Sequence, residues 1–246
     1  ISAVSYNKDI IEVAGIEGDE LVYEGIGYGI GEIGVSVEID GMTRQGYASI
    51  LSHPTDETTS PWSTYNFGKS KGGMNYNEDG TISIMTSGID FFNPPDDGTF
   101  IYRKMSADKL TVECDIVSVT GNSVTNDTAI GPMIRADLSD TSDYLMFRYK
   151  FAGAANIMTY RNAETSAGYG NITSGVNKFD TPVKLRLEKN GDVIKASVYS
   201  NGEWYETKEV ICPMPEEYYV GVAGFSNTSG IFDEYVVTNP VITVLD

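Results

Sequence analysis

The sequence predicts an all-β chain, an antiparallel β-sandwich with little or no helix. Three observations predict it. Residues 183–210 read VKLRLEKNGDVIKASVYSNGEWYETKEV, where Asn190-Gly191 and Asn201-Gly202 separate three runs of alternating polarity. Asn-Gly supplies the two left-handed residues of a tight type I′ hairpin, so a three-stranded meander with one wet face is expected. Turn signals recur at Asp40-Gly41, Asp79-Gly80, residues 94–98 and Gly121-Asn122, at a spacing suited to short strands. No amphipathic stretch exceeds about two helical turns, where three or four would be ordinary in a mixed fold.

The elements follow in order. Residues 1–58 are acidic, with Lys8 and Arg44 as their only bases, and Gly-rich between Gly25 and Gly46. Short strands are expected at 10–13, 20–23, 35–39 and 47–51. These residues lack a core-sized set of large apolar side chains. They form an N-terminal segment, either packed on the main body or the remnant of a neighbouring module. The polar stretch from His53-Pro54 to Ser60-Pro61 marks the boundary, and residues 59–246 form the sandwich. Within it Leu110, Val112, Cys114 and Ile116 share one side of a strand. At 131–136 Arg135 lies opposite Ile134. At 144–151 Leu145, Phe147, Tyr149 and Phe151 make the apolar side, which leaves Arg148 and Lys150 on the other. At 157–161 Met158 and Tyr160 face the core and Arg161 faces away. In the meander Val183, Leu185 and Leu187 point inward, and Lys184, Arg186 and Glu188 outward. Asp233 opens the last strand, in GIFDEYVVTN. The chain has no internal repeat.

Composition narrows the function. A chain of 246 residues with 41% hydrophobic content can bury a real core as one sandwich. Its net charge of −18 repels phosphate, so neither nucleic acid nor an anionic membrane is an expected partner. The same charge suits Ca²⁺, which takes oxygen ligands. No apolar run is long enough to span a bilayer. Without an initiator Met or a signal peptide, the chain reads as a processed protein or an excised module. Cys114 is expected as a buried free thiol; a bridge to Cys212 needs the two strands to adjoin. Zinc spacings are absent. Sequons at Asn126, Asn171 and Asn227 matter in a glycosylating host.

Several motifs point to chemistry and fail on context. Gly29, Gly31 and Gly34 match G-x-G-x-x-G, but a dinucleotide site needs a helix to follow, and VSVEID reads as a strand. His53, the only histidine, would have to serve any Ser-His or Cys-His device, yet it sits in a polar Pro-flanked loop. Glycoside hydrolysis could use paired carboxylates, but no E-x-D-x-E strand is present, and Glu113-Cys-Asp115 is too short.

Two signals survive. Arg135, Arg148, Arg161 and Arg186 each fall on the side of a strand away from the core, with Lys195 beside them in the meander. Together they make a candidate basic surface on one sheet; simple cross-strand pairing with acids such as Glu188 is the alternative. Aromatic side chains near turns are the second: Trp62, Tyr65, Tyr76, Phe91, Phe92, Tyr169, Trp204 and Tyr205. Sugars bind through C–H faces stacked on such rings, together with planar hydrogen-bonding groups. The candidate ligand-binding set is Arg135, Arg148, Arg161, Arg186, Trp204 and Tyr205. Asp233 and Asp97, the latter in the Asp96-Asp97-Gly98 turn, are candidate Ca²⁺ ligands.

Residues 62–238 resemble the concanavalin A-like (laminin G/lectin-type) jelly-roll modules attached to bacterial carbohydrate-active enzymes, including the β-xylosidase C-terminal-like domain. The matching stretches include DGTFIYRKMSADKLTVECDIVSV at 97–119, IGPMIRADLSDTSDYLMFRY at 130–149, IMTYRN at 157–162, TPVKLRLEKNGDVIKASVYSNGEWYE at 181–206 and IFDEYVVTN at 231–239. The resemblance implies two antiparallel sheets face to face, glycan bound on a concave face or loop rim, and often a structural Ca²⁺. Arg103, Arg135, Arg161 and Arg186 fall in the matching motifs. Residues 1–58 lie outside it. The expected function is a non-catalytic, monomeric carbohydrate-binding module that directs a secreted polysaccharide-degrading catalytic domain in the same polypeptide to its glycan. An acidic plant polysaccharide such as pectin is favoured, because arginine can grip a uronate carboxylate bidentately. A jelly-roll polysaccharide lyase or glycoside hydrolase is the first alternative, with Tyr149 or Tyr160 as a lyase base. A laminin G-like adhesin or protein-binding domain is the second.

Overall fold

The computed structural model of the protein describes residues 1–27, 29–52, 60–92, 94–121, 127–151, 155–165, 170–173, 180–207 and 209–246. His53, Asn122, Asn126 and Tyr169 lie outside the described residues. The chain divides into two compact units, Ile1–Asp56 and Glu57–Asp246.

In the first unit β1 (Ser2–Ser5), β4 (Gly29–Ile39) and β5 (Met42–Ser52) form one sheet, and β2 (Ile11–Glu17) pairs with β3 (Glu20–Gly25). Asp40 and Gly41, at φ 53° and 74°, turn β4 into β5. The three glycines of the nucleotide-like motif therefore lie in a strand of a hairpin. Ile11 and Ile33 are the large apolar side chains fully buried here. Gly31 permits that packing, since a Cβ on it would stand 2.3 Å from Cγ2 of Ile11.

The second unit holds two larger antiparallel sheets. The front sheet runs β14 (Gly170–Thr173), β13 (Ala155–Arg161), β12 (Tyr144–Lys150), β11 (Ala129–Arg135), β19 (Tyr218–Phe225), β9 (Thr99–Met105) and β6 (Ser63–Asn66). The back sheet runs β17 (Glu203–Glu206), β16 (Val193–Ser200), β15 (Val183–Asn190), β10 (Lys109–Gly121), β20 (Asp233–Thr238), β8 (Thr81–Thr86) and β7 (Gly72–Tyr76). Two short strands join it: β18 (Val210–Ile211) pairs with β16, and β21 (Val241–Val244) with β10. The one helical element among the described residues is a 3₁₀ turn at Ala163–Thr165. The fold class is the predicted one.

Period-two alternation builds the core. Leu110, Val112, Cys114, Ile116, Leu185, Leu187 and Val198 from the back sheet meet Ile101, Ile130, Ile134, Leu145, Phe147, Met158 and Val222 from the front. Full burial of such side chains stabilises by about 1.5–3 kcal/mol each. The meander is present as β15-β16-β17. Its second turn is a I′ pair, Asn201 at φ 52° and Gly202 at φ 86°. Its first turn lies one residue later than predicted. Asn190 pairs with Val193, so the loop is Gly191-Asp192, with Gly191 at φ 58° as its left-handed residue. Cys114 and Cys212 are both buried and free. Burial raises both thiols above their ordinary range, that of Cys212 to about 12.

Candidate functional site

Strand register sorts the predicted arginines, and they do not share one wet surface. Arg135, Arg148 and Arg161 lie on the front sheet and Arg186 on the back sheet. The first three do face away from the inter-sheet core, as the alternation requires. That face is not wet, however. Phe91, Phe67, Phe100, Met133, Tyr144, Met146 and Phe225 form a second buried apolar cluster on it, flanked by Phe92. Phe91 and Phe92 come from the segment between β8 and β9, which folds over the strands. Arg135, Arg148 and Arg161 are consequently 0%, 3% and 2% exposed, which corrects the expectation of an open basic surface.

Asp96, on the same covering segment and itself fully buried, pairs with two of them, Arg161 and Arg135. Its Oδ1 accepts from Nη2 of Arg161 at 2.6 Å, and its Oδ2 lies 2.7 Å from Nη2 of Arg135. Arg161 also donates from Nη1 to the Ser142 carbonyl at 3.0 Å and from Nη2 to the Phe91 carbonyl at 3.3 Å. Arg135 donates from Nε to the Asp137 carbonyl at 2.8 Å, and its guanidinium stacks 4.2 Å from the Phe67 ring centroid. The Tyr144 hydroxyl closes the network on the Phe91 carbonyl. Arg148 donates from Nε to Oγ1 of Thr159 at 2.9 Å and sits 4.4 Å over Phe92. Desolvation pulls the Arg135 pKa down, partly offset by Asp96. At Arg161 desolvation is outweighed by the Asp96 hydrogen bonds and charge, so its pKa is raised.

Beside this clasp, at the loop rim, lies an open cavity of about 420 Å³, lined by Lys69, Ile89, Asp90, Pro95, Asp97 and Ser229, with Gly68 and Asp96 behind. The size falls within the range of about 300–1,000 Å³ usual for small-ligand sites. Asp97 shapes the wall. Its Oδ1 accepts the Lys69 N–H at 3.0 Å and its Oδ2 the Ile89 N–H at 3.3 Å. Asp90 accepts the Phe92 N–H at 2.8 Å through Oδ1. Ile89 is 44% exposed and offers an apolar face to the opening. The cavity thus combines apolar surface with a few fixed donors and acceptors. Lys69, Ile89, Asp90 and Ser229 were not among the predicted residues. The turn-rich FGKSKGG segment around Gly68, at φ 61°, is the signal that points to one wall.

The predicted calcium ligands do not come together into a built site. Both Asp97 oxygens already hold backbone N–H groups. Asp233 is fully buried at the start of β20, opposite Thr86. Among the described residues no group of three or more His, Cys, Asp or Glu side chains is placed to hold a metal ion. Among the described residues, Asp97 and Asp233 are not placed to share the ion that the resemblance implies.

On the outer face of the back sheet, the guanidinium of Arg186 lies over the Trp204 ring, 3.9 Å from its centroid. Tyr199 stands 5.2 Å from Trp204 and is 40% exposed. Tyr205 does not join them. It pairs with Val198 and packs against the inter-sheet core, which corrects its expected outward placement.

No family model matches the sequence, and no curated protein matches it. Solved structures do. A functionally unknown protein from Saccharomyces cerevisiae is similar at 17% identity, over 76% of this chain and 97% of that one, with a TM-score of 0.58. The second unit is a two-sheet antiparallel β-sandwich, and the likeness is one of fold. A carbohydrate binding module, CBM66, from Bacillus subtilis aligns at 15% identity over 74% of this chain and 95% of that one, TM-score 0.49. A legume lectin-like domain from Entamoeba histolytica aligns at 12% identity over 74% and 91%, TM-score 0.49.

Proposed function

We propose that the chain is a non-catalytic carbohydrate-binding module that holds a glycan in the rim cavity beside the Asp96 clasp. It is secreted, and it acts for a polysaccharide-degrading catalytic domain in the same polypeptide by raising the local concentration of substrate. The observation that carries this reading is the cavity itself, with Ile89 and Pro95 as apolar faces, Lys69, Asp90 and Ser229 as hydrogen-bonding groups, and Asp97 fixing the wall. Three of the four arginines behind the expectation of an acidic glycan are engaged inside the fold, so charge no longer favours uronate over neutral sugar. A lyase reading draws no support from its candidate bases. Tyr149 is 3% exposed within the inter-sheet core, and Tyr160 packs against the same core.

The test is affinity electrophoresis of the full chain in gels containing xylan, neutral β-glucan or polygalacturonate. Retardation in at least one gel is expected, with a marked loss in Ile89→Asp. Equal mobility in every gel overturns the reading. Release of ultraviolet-absorbing unsaturated uronates from pectin would overturn its non-catalytic part.

A further inference from the structure

We infer that the outer face of the back sheet is a second glycan-binding site, built on Tyr199 and Trp204 and selective for neutral sugars. This rests on the carbohydrate reading above but uses a different face and different residues.

Register sets the platform. Lys184, Tyr199 and Trp204 stand side by side across β15, β16 and β17; Glu113, Arg186, Ser197 and Glu206 form the adjacent row. The rows are on one face, since positions two apart on a strand share a face. Trp204 is held from one side by the Arg186 guanidinium, and Tyr199 leans against it at an interplanar angle of 58°. A half-open angle between two rings on a flat sheet gives an apolar surface on which the C–H face of a pyranose can rest.

The polar groups around the rings suit hydroxyls. Arg186 and Glu113 are 3.5 Å apart, and Lys184 and Asp115 are 3.6 Å apart. The Lys150–Asp127 pair, by contrast, is tight at 2.7 Å. The buried Nε of Arg186 has no hydrogen-bond partner. A loose cation–carboxylate pair presents a donor and an acceptor side by side. A sugar hydroxyl both accepts and donates, so a vicinal diol can satisfy both ends without displacing either. With the Lys195–Glu206 pair at 3.1 Å on the same face, these six charges cancel, so the platform does not attract an anionic ligand. A neutral glycan chain lying across the strands is therefore the occupant this face suits.

The chain has two tryptophans, and Trp62 is only 4% exposed, so tryptophan emission reports chiefly on Trp204. The full chain is titrated with xylohexaose, cellohexaose and laminarihexaose, with tetragalacturonate as the anionic probe. At least one neutral oligosaccharide should change the emission, and Trp204→Ala should lose retardation in gels of the matching neutral polysaccharide. Tyr199→Ala, at an exposed position, should weaken binding about 2- to 12-fold, if a ring–sugar contact is worth what a ring–ring contact is. Ile89→Asp, in the rim cavity, should leave the emission change intact. If gels retard the wild type and Tyr199→Ala equally and no oligosaccharide changes the emission, the second site is wrong while the glycan reading stands. If the wild type neither binds a gel nor changes emission, both fail. A response to tetragalacturonate alone overturns the neutral class.

Discussion

Asp96→Asn tests the clasp that shapes the front of the molecule. The substitution keeps the side-chain shape and removes its charge, leaving Arg135 and Arg161 facing a neutral amide. Both ion pairs, at 2.7 Å and 2.6 Å, are shut off from water, with Asp96 and Arg135 side chains at 0% exposure and Arg161 at 3%. Removing one partner from a buried pair costs about 3–5 kcal/mol, because the remaining charge is uncompensated. Against a total of about 5–15 kcal/mol this is a large fraction. For a unit of this size it corresponds to a fall of about 6–20 °C in Tm. The comparison is Glu217→Gln. Its pair with Lys104 is as short, 2.6 Å, but the two side chains are 63% and 50% exposed, so water screens the pair and the loss should be far smaller. Circular dichroism melts and urea titrations of the full chain supply both values. A loss in Asp96→Asn no larger than in Glu217→Gln would refute the view that burial, rather than contact distance, sets the strength of this clasp.

Other outcomes follow from the same geometry. Asp97→Ala frees the Lys69 and Ile89 N–H groups and should weaken glycan retardation with a stability loss of only about 1 kcal/mol, read by gel and melt together. Gly221→Ala would place a Cβ 1.8 Å from the Ile101 carbonyl oxygen across the front sheet; denaturant titration should show a loss of about 1–3 kcal/mol or more. Asn201→Val, at φ 52°, should cost about 1–2 kcal/mol by the same measurement. Burial raises Cys212 from 9.0 to about 12 and Tyr218 from 10.0 to about 12. The unfolded chain releases these protons first, so stability should be full below the unfolded values and fall steadily as pH rises toward the folded ones, as melts across alkaline pH would record.

The strands were legible because their signal is local. At Leu145, Phe147 and Tyr149 against Arg148, the period of two states which side chains enter the core, and they do enter it. Asn201-Gly202 is legible for the same reason, since the turn lies within two residues. The covering of the front sheet was not legible. Asp96 meets Arg161 across 65 positions in the chain, and no periodicity encodes a loop that folds back over a sheet. Alternation specifies the side of a strand on which Arg148 lies, but not whether that side meets water or Phe92. The Phe91-Phe92 pair beside Asp96-Asp97 was visible as an aromatic and acidic turn. Its partners, three arginines on three later strands, become visible only when the sheet order is known. Tyr205 failed for a related reason: a strand this close to its turn has too few residues for its alternation to be read.

Charge placement links the interior to the choice of ligand. Of the six arginines in the chain, three are buried on the front sheet, and Lys189 is buried as well. Among the described carboxylates, Asp96 and Asp233 are buried to a similar degree. Among the described residues more positive than negative charge is therefore withdrawn from the surface, which adds to the acidity that the net −18 of the chain gives the exterior. An anionic polysaccharide approaches this exterior against a repulsive field that salt screens over about 8 Å at physiological ionic strength. A neutral glycan meets no such barrier, and the rim cavity and the Tyr199–Trp204 platform both present apolar surface with paired donors and acceptors. By fixing Asp96, Arg135 and Arg161 hold the segment that carries Ile89, Asp90, Pro95 and Asp97, and with it the wall of the proposed glycan site.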